Sequence, residues 1–167
     1  MSRHWHVEIP VRPKCVQSVR MAHGRPFVDP KVRQWKETIR PFIRAASPGR
    51  PSKLPIRVIK FIYRYQYPKA MPASVKRFIN DGGEVPYLDA VDITDNMNKG
   101  VVDVCKGIVF EDDSQIWWIC CIKKLYGAKD SIELEFEETP DVILKSGQKG
   151  ASLDPKNEVQ DDAFSII

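Results

Sequence analysis

The sequence D-I-T-D-N-M-N-K-G-V-V-D-V-C-K-G-I-V-F-E-D-D-S-Q occupies residues 92–115. Its acidic residues frame a short segment with helical periodicity: Asp92 and Asp95 precede this segment, and Asp112 and Asp113 follow it. Densely packed carboxylates repel each other, so a protein tolerates such a cluster mainly where a divalent cation or a phosphate group binds. The stretch is therefore the first candidate for a functional site.

The middle of this stretch is predicted to form a helix over residues 96–106. Apolar residues recur along one of its faces with helical spacing: Met97, Val101, Val104 and Ile108. The opposite face carries Lys99, Asp103 and Lys106. Gly107 stands where a helix is expected to end. A strand is predicted next, over residues 115–126, and a second over residues 132–136, where apolar residues alternate with glutamates.

The residues before this stretch add two helices and two strands. We expect a first strand over residues 5–11 and a basic loop over residues 13–27. Asp29-Pro30 is a strong helix start, and the apolar residues that follow it with helical spacing are Val32, Trp35, Ile39, Phe42 and Ala46. A long strand over residues 56–65 and a short helix over residues 72–80 come next. The pattern predicts a small α+β domain with a mixed sheet packed against helices.

The domain is expected to span residues 1–138, because apolar periodicity is lost beyond it. The composition of residues 139–167 is typical of a disordered tail. The whole chain has 167 residues, 43% of them hydrophobic and 29% charged, as is usual for a globular protein. No apolar run is long enough to span a bilayer, and we expect a cytoplasmic protein without a membrane partner.

The net charge of +4 is spread unevenly, with +6 on residues 1–138 and −2 on residues 139–167. A basic body is compatible with binding to a polyanion, although charge alone leaves a merely basic protein equally open. The four cysteines contain no C-x-x-C pair and are expected to be free thiols, and no third ligand accompanies His4 and His6. A zinc site and a small-molecule cofactor are therefore not expected.

Each acidic residue of the stretch also has an ordinary structural interpretation. Asp95 can simply cap the predicted helix, which contributes on the order of 1 kcal/mol. Asp103 can form an ion pair with Lys99 or Lys106 on the helix face. Asp112 and Asp113 can form a solvated turn before the next strand. These alternatives stay open for each residue taken alone.

Taken together, the residues favour metal-assisted phosphodiester hydrolysis. A turn that returns to the helix N-terminus would bring Asp92, Asp95 and Asp113 into one pocket. Carboxylate oxygens are the ligands that Mg²⁺ prefers, with Mn²⁺ as an alternative. Lys99, one turn inside the helix, would offset the charge that develops on the phosphorus. The sequence contains no G-x-S-x-G motif, no Walker-type glycine loop and no EF-hand loop.

The motifs D-N-x-x-K-G-V-x-D and G-I-V-F-E-D-D-S-Q-I resemble the RusA family of Holliday junction resolvases, which are endodeoxyribonucleases. The segments I-P-V-R-P-K, Q-S-V-R and R-P-F-V-D-P-K-V-R-Q-W-K resemble the family's first strand, basic loop and first helix. The resemblance covers roughly residues 5–137. It implies a homodimer with a small α+β fold that binds branched DNA and makes symmetric, Mg²⁺-dependent nicks in a four-way junction.

The family's site residues map onto this sequence by position. Asp95 is then the second motif aspartate, Lys99 the essential lysine and Asp113 the last metal-binding aspartate, with Asp112 beside it. Asn96 matches the motif asparagine and is assigned to DNA binding. The family's first aspartate would stand at position 93, where this chain has Ile93, so the aspartate one residue earlier, Asp92, is predicted to supply that ligand.

DNA contacts are expected to be electrostatic and sensitive to salt. The candidate cations are Arg12, Lys14, Arg20 and Arg25 in the basic loop, and Lys123 and Lys124 near the end of the strand after the acidic pair. Trp117 and Tyr126 could wedge between junction arms, or they could belong to the core.

Other functions also fit the sequence. The chain could grip branched DNA without cleaving it, if the displaced Asp92 does not reach the metal. It could be a metal-dependent nuclease for flaps, forks or RNA. A basic α+β protein with a purely structural acidic turn is the simplest alternative.

Overall fold

The structure is a computed structural model. It describes residues 2–16, 20–22, 25–27, 29–89 and 97–140, with the backbone alone for residues 20–22 and 25–27. The predicted site residues Asp92, Asp95 and Asn96 lie outside the described residues, as does Ile93. Residues 141–167 lie outside them too, so the disorder expected of the tail and the domain boundary at residue 138 stay predictions.

The described part of the chain is a small α+β domain, as predicted. Its strands are β1 (His4–Ile9), β2 (Arg20–Ala22), β3 (Arg25–Phe27), β4 (Ile56–Gln66), β5 (Ile116–Ile119), β6 (Ile122–Gly127) and β7 (Ser131–Glu138), and its helices are α1 (Pro30–Ala46), α2 (Ala73–Asn80) and α3 (Asn98–Cys105). None of these helices combines the length and the apolar content needed to cross a bilayer.

A mixed five-stranded sheet forms the centre of the domain. Its order is β1-β7-β4-β5, and β6 pairs with β4 farther along that strand. The β1–β7 and β7–β4 pairs are antiparallel, whereas β5 and β6 both run parallel to β4. A parallel pair requires a crossover connection, and here the segment that contains α2 and α3 supplies it. Helix α3 therefore belongs to the crossover that joins β4 to β5, and it packs against α1.

Helix α1 begins where the sequence predicts. The Asp29 side chain caps it, because the backbone N–H of Lys31 donates to Asp29 Oδ1 at 2.8 Å, and Pro30 takes the first helical position. Val32, Trp35 and Ile39 are buried, but the last turn buries Ile43 rather than the predicted Phe42. Ile43 follows Ile39 by four residues and continues the same face, while Phe42 falls at its edge and is exposed.

Helices α1 and α3 pack closely where glycine leaves room. A Cβ atom on Gly100 would lie 2.3 Å from Val16 Cγ2 and 3.2 Å from Trp35 Cζ3, so any larger residue would collide with the core. The predicted apolar face of α3 is confirmed, since Met97, Val101 and Val104 are all buried. This close contact fixes α3, and with it the neighbouring Lys99, against α1.

Two predicted segments differ from the structure. The basic loop contains a short antiparallel pair, β2 with β3, in which Arg20 lies opposite Phe27. The strand predicted over residues 115–126 is two strands, interrupted at Cys120 and Cys121. The break lies opposite an irregularity in β4, where the pairing with β7 shifts register between Val58 and Lys60. Hydrogen bonds to β4 continue across it, because Cys120 N–H donates to the carbonyl group of Val58 and Phe61 N–H donates to that of Cys121.

Candidate active site

The first turn of α3, which carries Lys99, is held to the sheet by two buried tyrosines. Tyr63 Oη on β4 donates to Asn98 Oδ1 at 2.8 Å, and Tyr65 Oη approaches Met97 Sδ at 3.8 Å. Burial raises the pKa of both phenols above the ordinary value, so both stay protonated donors. Asn98 is therefore a positioning residue that the sequence interpretation did not identify. Two tyrosines on the inward face of β4, each needing a partner for its hydroxyl group, were the signal for it.

Lys99 itself is exposed, as expected for a residue that meets substrate. Among the ion pairs between described residues, none includes Lys99. The predicted ion pair between Asp103 and one of its helix neighbours is not found in the structure. Asp103 instead accepts from Lys36 Nζ of α1 at 2.6 Å, which ties the two helices together. Lys99 thus keeps its ammonium group exposed and without an acidic partner in the described part of the chain.

The acidic pair begins a 3₁₀ turn at Asp113–Gln115 that is built as a capping box. The Asp112 carboxylate accepts from the Ser114 N–H at 3.0 Å, and the Asp112 N–H donates to Gln115 Oε1 at 2.7 Å. The buried Gln115 amide also donates to the carbonyl groups of Ser52 and Leu54, at 2.9 and 2.8 Å. The turn is therefore anchored to the segment before β4. Asp112 has a clear structural role in this turn, and its role as a metal ligand stays a prediction.

Asp113 differs from Asp112, because its carboxylate is not used by the turn. Its side chain is 56% exposed, and its Oδ1 atom lies 3.1 Å from Lys106 Nζ. Lys106 also lies 2.5 Å from Asp112 Oδ2, so one ammonium group bridges both aspartates. The hydrogen bond with Asp112 is the main cause of a raised pKa at Lys106, and Lys106 in turn holds the pKa of Asp112 well below its usual range. Asp112 is accordingly ionised at neutral pH.

The ion pairs of Lys106 differ from those considered from the sequence, because its partners are Asp112 and Asp113 and not Asp103. The pattern places it on the helix face with Lys99 and Asp103, but α3 ends at Cys105 and Gly107 turns the chain with a φ of +77°. This reversal brings the acidic pair back to the C-terminal end of α3. Lys99 and Lys106 are seven residues apart, so about 10 Å of helix separates their Cα atoms. The structure does not bring Lys99 into contact with Asp113.

The described residues supply only part of a binding site for a divalent cation. Among the described residues, no group of three or more acidic, histidine or cysteine side chains is arranged to hold a metal ion. Asp113 supplies an exposed carboxylate, which is a hard oxygen donor of the kind that Mg²⁺ prefers. The other predicted ligands, Asp92 and Asp95, fall outside the described residues. Of the two predicted ligands that are described, Asp113 offers the carboxylate that the turn does not use, and its role as a metal ligand stays a prediction.

The predicted DNA-binding cations fall into distinct environments. Arg12 and Lys14 lie beside α1, while the side chains of Arg20 and Arg25 are outside the described residues. Lys123 is held by Glu84, with both carboxylate oxygens at 2.8 Å. Lys124 donates to the carbonyl group of Asp89 at 3.0 Å and lies over the ring of Tyr87. Binding of DNA by these last two lysines stays a prediction, since each already has a partner within the protein.

Of the two aromatic residues that the sequence left open, Trp117 is exposed. The residue is 45% exposed and its indole N–H donates to Thr139 Oγ1 at 2.9 Å, so it is not a core residue. Tyr126 is half-buried and packs edge-on against Tyr87. Trp117 is the better candidate for contact with another molecule.

Comparison with known proteins identifies one family. The family model described as endodeoxyribonuclease RusA matches residues 8–137. This match begins in β1, ends in β7 and contains both Lys99 and the acidic pair. In a search of curated proteins, no match to the chain was found.

Proposed function

We propose that this chain, which belongs to the RusA family of endodeoxyribonucleases, resolves four-way DNA junctions by Mg²⁺-dependent phosphodiester hydrolysis. The family is one of endonucleases that resolve Holliday junctions, and the family match covers most of the chain. The observation that carries the proposal is that this match contains both the exposed Lys99 and an exposed carboxylate at Asp113. Resolution of junctions would give the protein a role in DNA recombination and repair in the cytoplasm.

The proposed site divides its tasks among a few side chains. Asp113, together with Asp92 and Asp95 of the sequence, would hold the divalent cation, which when bound lowers the pKa of a water ligand and polarises the phosphoryl oxygens. The Lys99 ammonium group, free of an acidic partner among the described residues, would stabilise the negative charge that develops on the scissile phosphate. Tyr63 and Asn98 would orient the start of α3 so that Lys99 points consistently.

We also propose that the active species is a homodimer. A four-way junction has to be cut in two strands, and two symmetric nicks require two catalytic centres related by a two-fold axis. In support, β5 exposes Trp117, Trp118 and Ile119, and no described strand pairs with its outer edge. An exposed apolar edge of this kind is suited to a second copy of the chain. Sedimentation velocity that gave monomer alone, even at tens of micromolar protein, would contradict the dimer.

A second function, binding of branched DNA without cleavage, is favoured by one specific observation. The position of the family's first aspartate holds Ile93, and the nearest aspartate is displaced by one residue. If Asp92 does not reach the cation, the cation loses a ligand while the basic surface remains. Junction binding without nicks would then be the whole activity.

The test is cleavage of a labelled synthetic four-way junction, with Mg²⁺ and with EDTA. We expect paired, symmetric nicks that require Mg²⁺ and that fall about a hundredfold or more in Asp113→Asn, since loss of a metal ligand costs at least as much as loss of its supporting contacts. Glu111→Gln is the matched control, because Glu111 is an exposed acid two residues away that pairs with Lys53. Binding without nicks in the unmodified protein would establish the second function, and neither binding nor nicks would refute both.

A further inference from the structure

A cleft of about 650 Å³ lies between the segment that follows β1 and the first half of α1. Its polar lining consists of Arg12, Lys14, Lys31, Gln34 and Thr38. Val11, Pro13 and Trp35 complete the wall. The lining therefore contains three cations and no acid. Like charges that converge on one cleft repel each other, unless an anion occupies the space between them.

The three cations are little neutralised within the protein. Arg12 faces Asp130 at 3.4 Å, a long contact in which the arginine side chain is 61% exposed. Lys14 and Lys31 form no ion pair with any described residue. Both ammonium groups are thus available to an external anion.

The wall of the cleft is rigid. Trp35 is buried, and its indole N–H donates to the backbone carbonyl group of Arg12 at 3.0 Å, which holds the segment after β1 against α1. The Arg12 guanidinium lies over the ring of Tyr65, 5.3 Å from its centroid. Thr38 Oγ1 donates to the carbonyl group of Gln34, so its hydroxyl oxygen is turned toward the helix backbone. The backbone of the cleft and the Arg12 guanidinium are therefore held in place, while Lys14 and Lys31 extend their ammonium groups from this fixed wall.

Trp35 connects this cleft to the candidate active site. One side of its ring lines the cleft, and its Cζ3 atom would lie 3.2 Å from a Cβ at Gly100, the residue next to Lys99. The cleft and the start of α3 thus lie on two sides of one buried side chain. A phosphate backbone held in the cleft would therefore pass the side of Trp35 opposite to the start of α3.

We propose that this cleft binds the sugar–phosphate backbone of one DNA arm and leads it to the start of α3. The proposal rests on the proposed function and adds Lys31 to the contact residues expected from the sequence, with Lys14 and Arg12 as its partners. Cations with little acidic competition suit phosphate oxygens, and an open cleft without a deep pocket suits a continuous polyanion. The contact is to the backbone, so it is independent of base sequence.

The experiment measures binding of a fluorescent four-way junction in EDTA, so that cleavage does not enter. The test variant is Lys14→Gln/Lys31→Gln. The matched control, Lys53→Gln/Lys69→Gln, removes the same charge at two lysines that do not line the cleft. Thermal unfolding of each variant shows that it is folded. At about 0.1 M salt we expect the test variant to bind at least about tenfold more weakly than the control, and its plot of log K against log salt to be shallower by about 1.8.

The possible results distinguish failure of the proposed cleft from failure of the proposed function. A test variant with the affinity and the salt slope of the control would overturn the cleft, even if the unmodified protein binds and cleaves junctions. An unmodified protein that binds no branched DNA would overturn the proposed function and the cleft with it. The single variant Lys31→Gln, exposed on α1, should lower the slope by about 0.9, and it keeps the test decisive if the double variant does not fold.

Discussion

At the scale of single residues, the chemistry of the acidic turn depends on one lysine. Lys106 bridges Asp112 and Asp113 and occupies the side of Asp113 on which another cation would compete. An exposed ammonium group of this kind can be displaced when a divalent ion binds, because exposed ion pairs are weak. If the cation binds at Asp113, as the proposed function requires, Lys106 would set how much Mg²⁺ the site needs without taking part in the reaction.

The first prediction follows from this competition. Lys106→Gln should lower the Mg²⁺ concentration for half-maximal junction cleavage, by roughly two- to fivefold, because an exposed competing charge is removed. The rate at saturating Mg²⁺ should stay within about twofold. The measurement is a Mg²⁺ titration of the cleavage rate. Lys53→Gln, which removes an exposed lysine paired with Glu111, is the control and should leave the titration unchanged. A rate more than tenfold lower at saturating Mg²⁺ would instead make Lys106 a catalytic residue.

At this site, the sequence predicted the exposure of individual residues better than the contacts between residues. Lys99 is exposed, and the acidic pair follows α3 in a turn, both as expected. The contacts of Tyr63 with Asn98 and of Lys36 with Asp103 join residues 35 and 67 positions apart. No local period encodes such distances, because they depend on how the sheet and helices pack. Asp92, Asp95 and Asn96 stay predictions.

At the scale of elements, local signals predicted helix starts and ends well. Asp29 caps α1 and Gly107 begins the turn after α3, each through chemistry confined to a few neighbouring residues. The prediction of a single strand over residues 115–126 was wrong for a different reason. Its interruption at Cys120 and Cys121 follows an irregularity in β4, which lies some sixty residues earlier and is invisible in the strand's own pattern.

The second prediction concerns the contact between α1 and α3. Gly100→Ala should lower the stability by about 1 kcal/mol, because overpacking against the buried Val16 methyl group costs more than the helix propensity of alanine returns. In a Val16→Ala background the same change should be neutral or stabilising, since the colliding Cγ2 atom is absent. Urea unfolding of the four proteins measures this coupling. Equal effects of Gly100→Ala in both backgrounds would show that Val16 does not set the limit.

At the scale of the whole molecule, the open face of the sheet is a network of charges. The glutamates of β7 alternate outward and meet β1 on one side and β4 on the other, as the pattern of residues 132–136 predicts for a wet face. Glu133 contacts Lys60 and Arg64 at 2.9 Å and His6 at 3.3 Å. Glu135 contacts Lys60 at 2.9 Å and His4 at 2.8 Å. The sheet order that creates these pairs was not predictable from the sequence, because β7 is the last strand along the chain and yet lies between β1 and β4.

The third prediction is that this network makes the fold sensitive to acid. Burial alone would raise the pKa of Glu133, but hydrogen bonds from Lys60, Arg64 and His6 outweigh it and lower the pKa to about 2. A carboxyl group whose pKa is lower in the folded chain stabilises the fold above its unfolded value, near 4.5. That stabilisation is lost as the pH falls from there toward 2. Glu133→Gln should therefore lower stability by about 1–2 kcal/mol at pH 7 and by much less at pH 2.5.

Urea unfolding at the two pH values separates this charge effect from simple loss of packing. The matched control is Glu84→Gln, which removes an exposed carboxylate paired with Lys123 on the other side of β4. It should change stability little at either pH, because exposed ion pairs contribute little. If Glu133→Gln lowered stability equally at both pH values, packing of the side chain and not its charge would hold β7 between its neighbours. Acid sensitivity would then have to originate at other carboxylates. Glu135 and Glu138 would be the next to test, because burial raises the pKa of each but hydrogen bonds from basic partners outweigh it and lower the pKa.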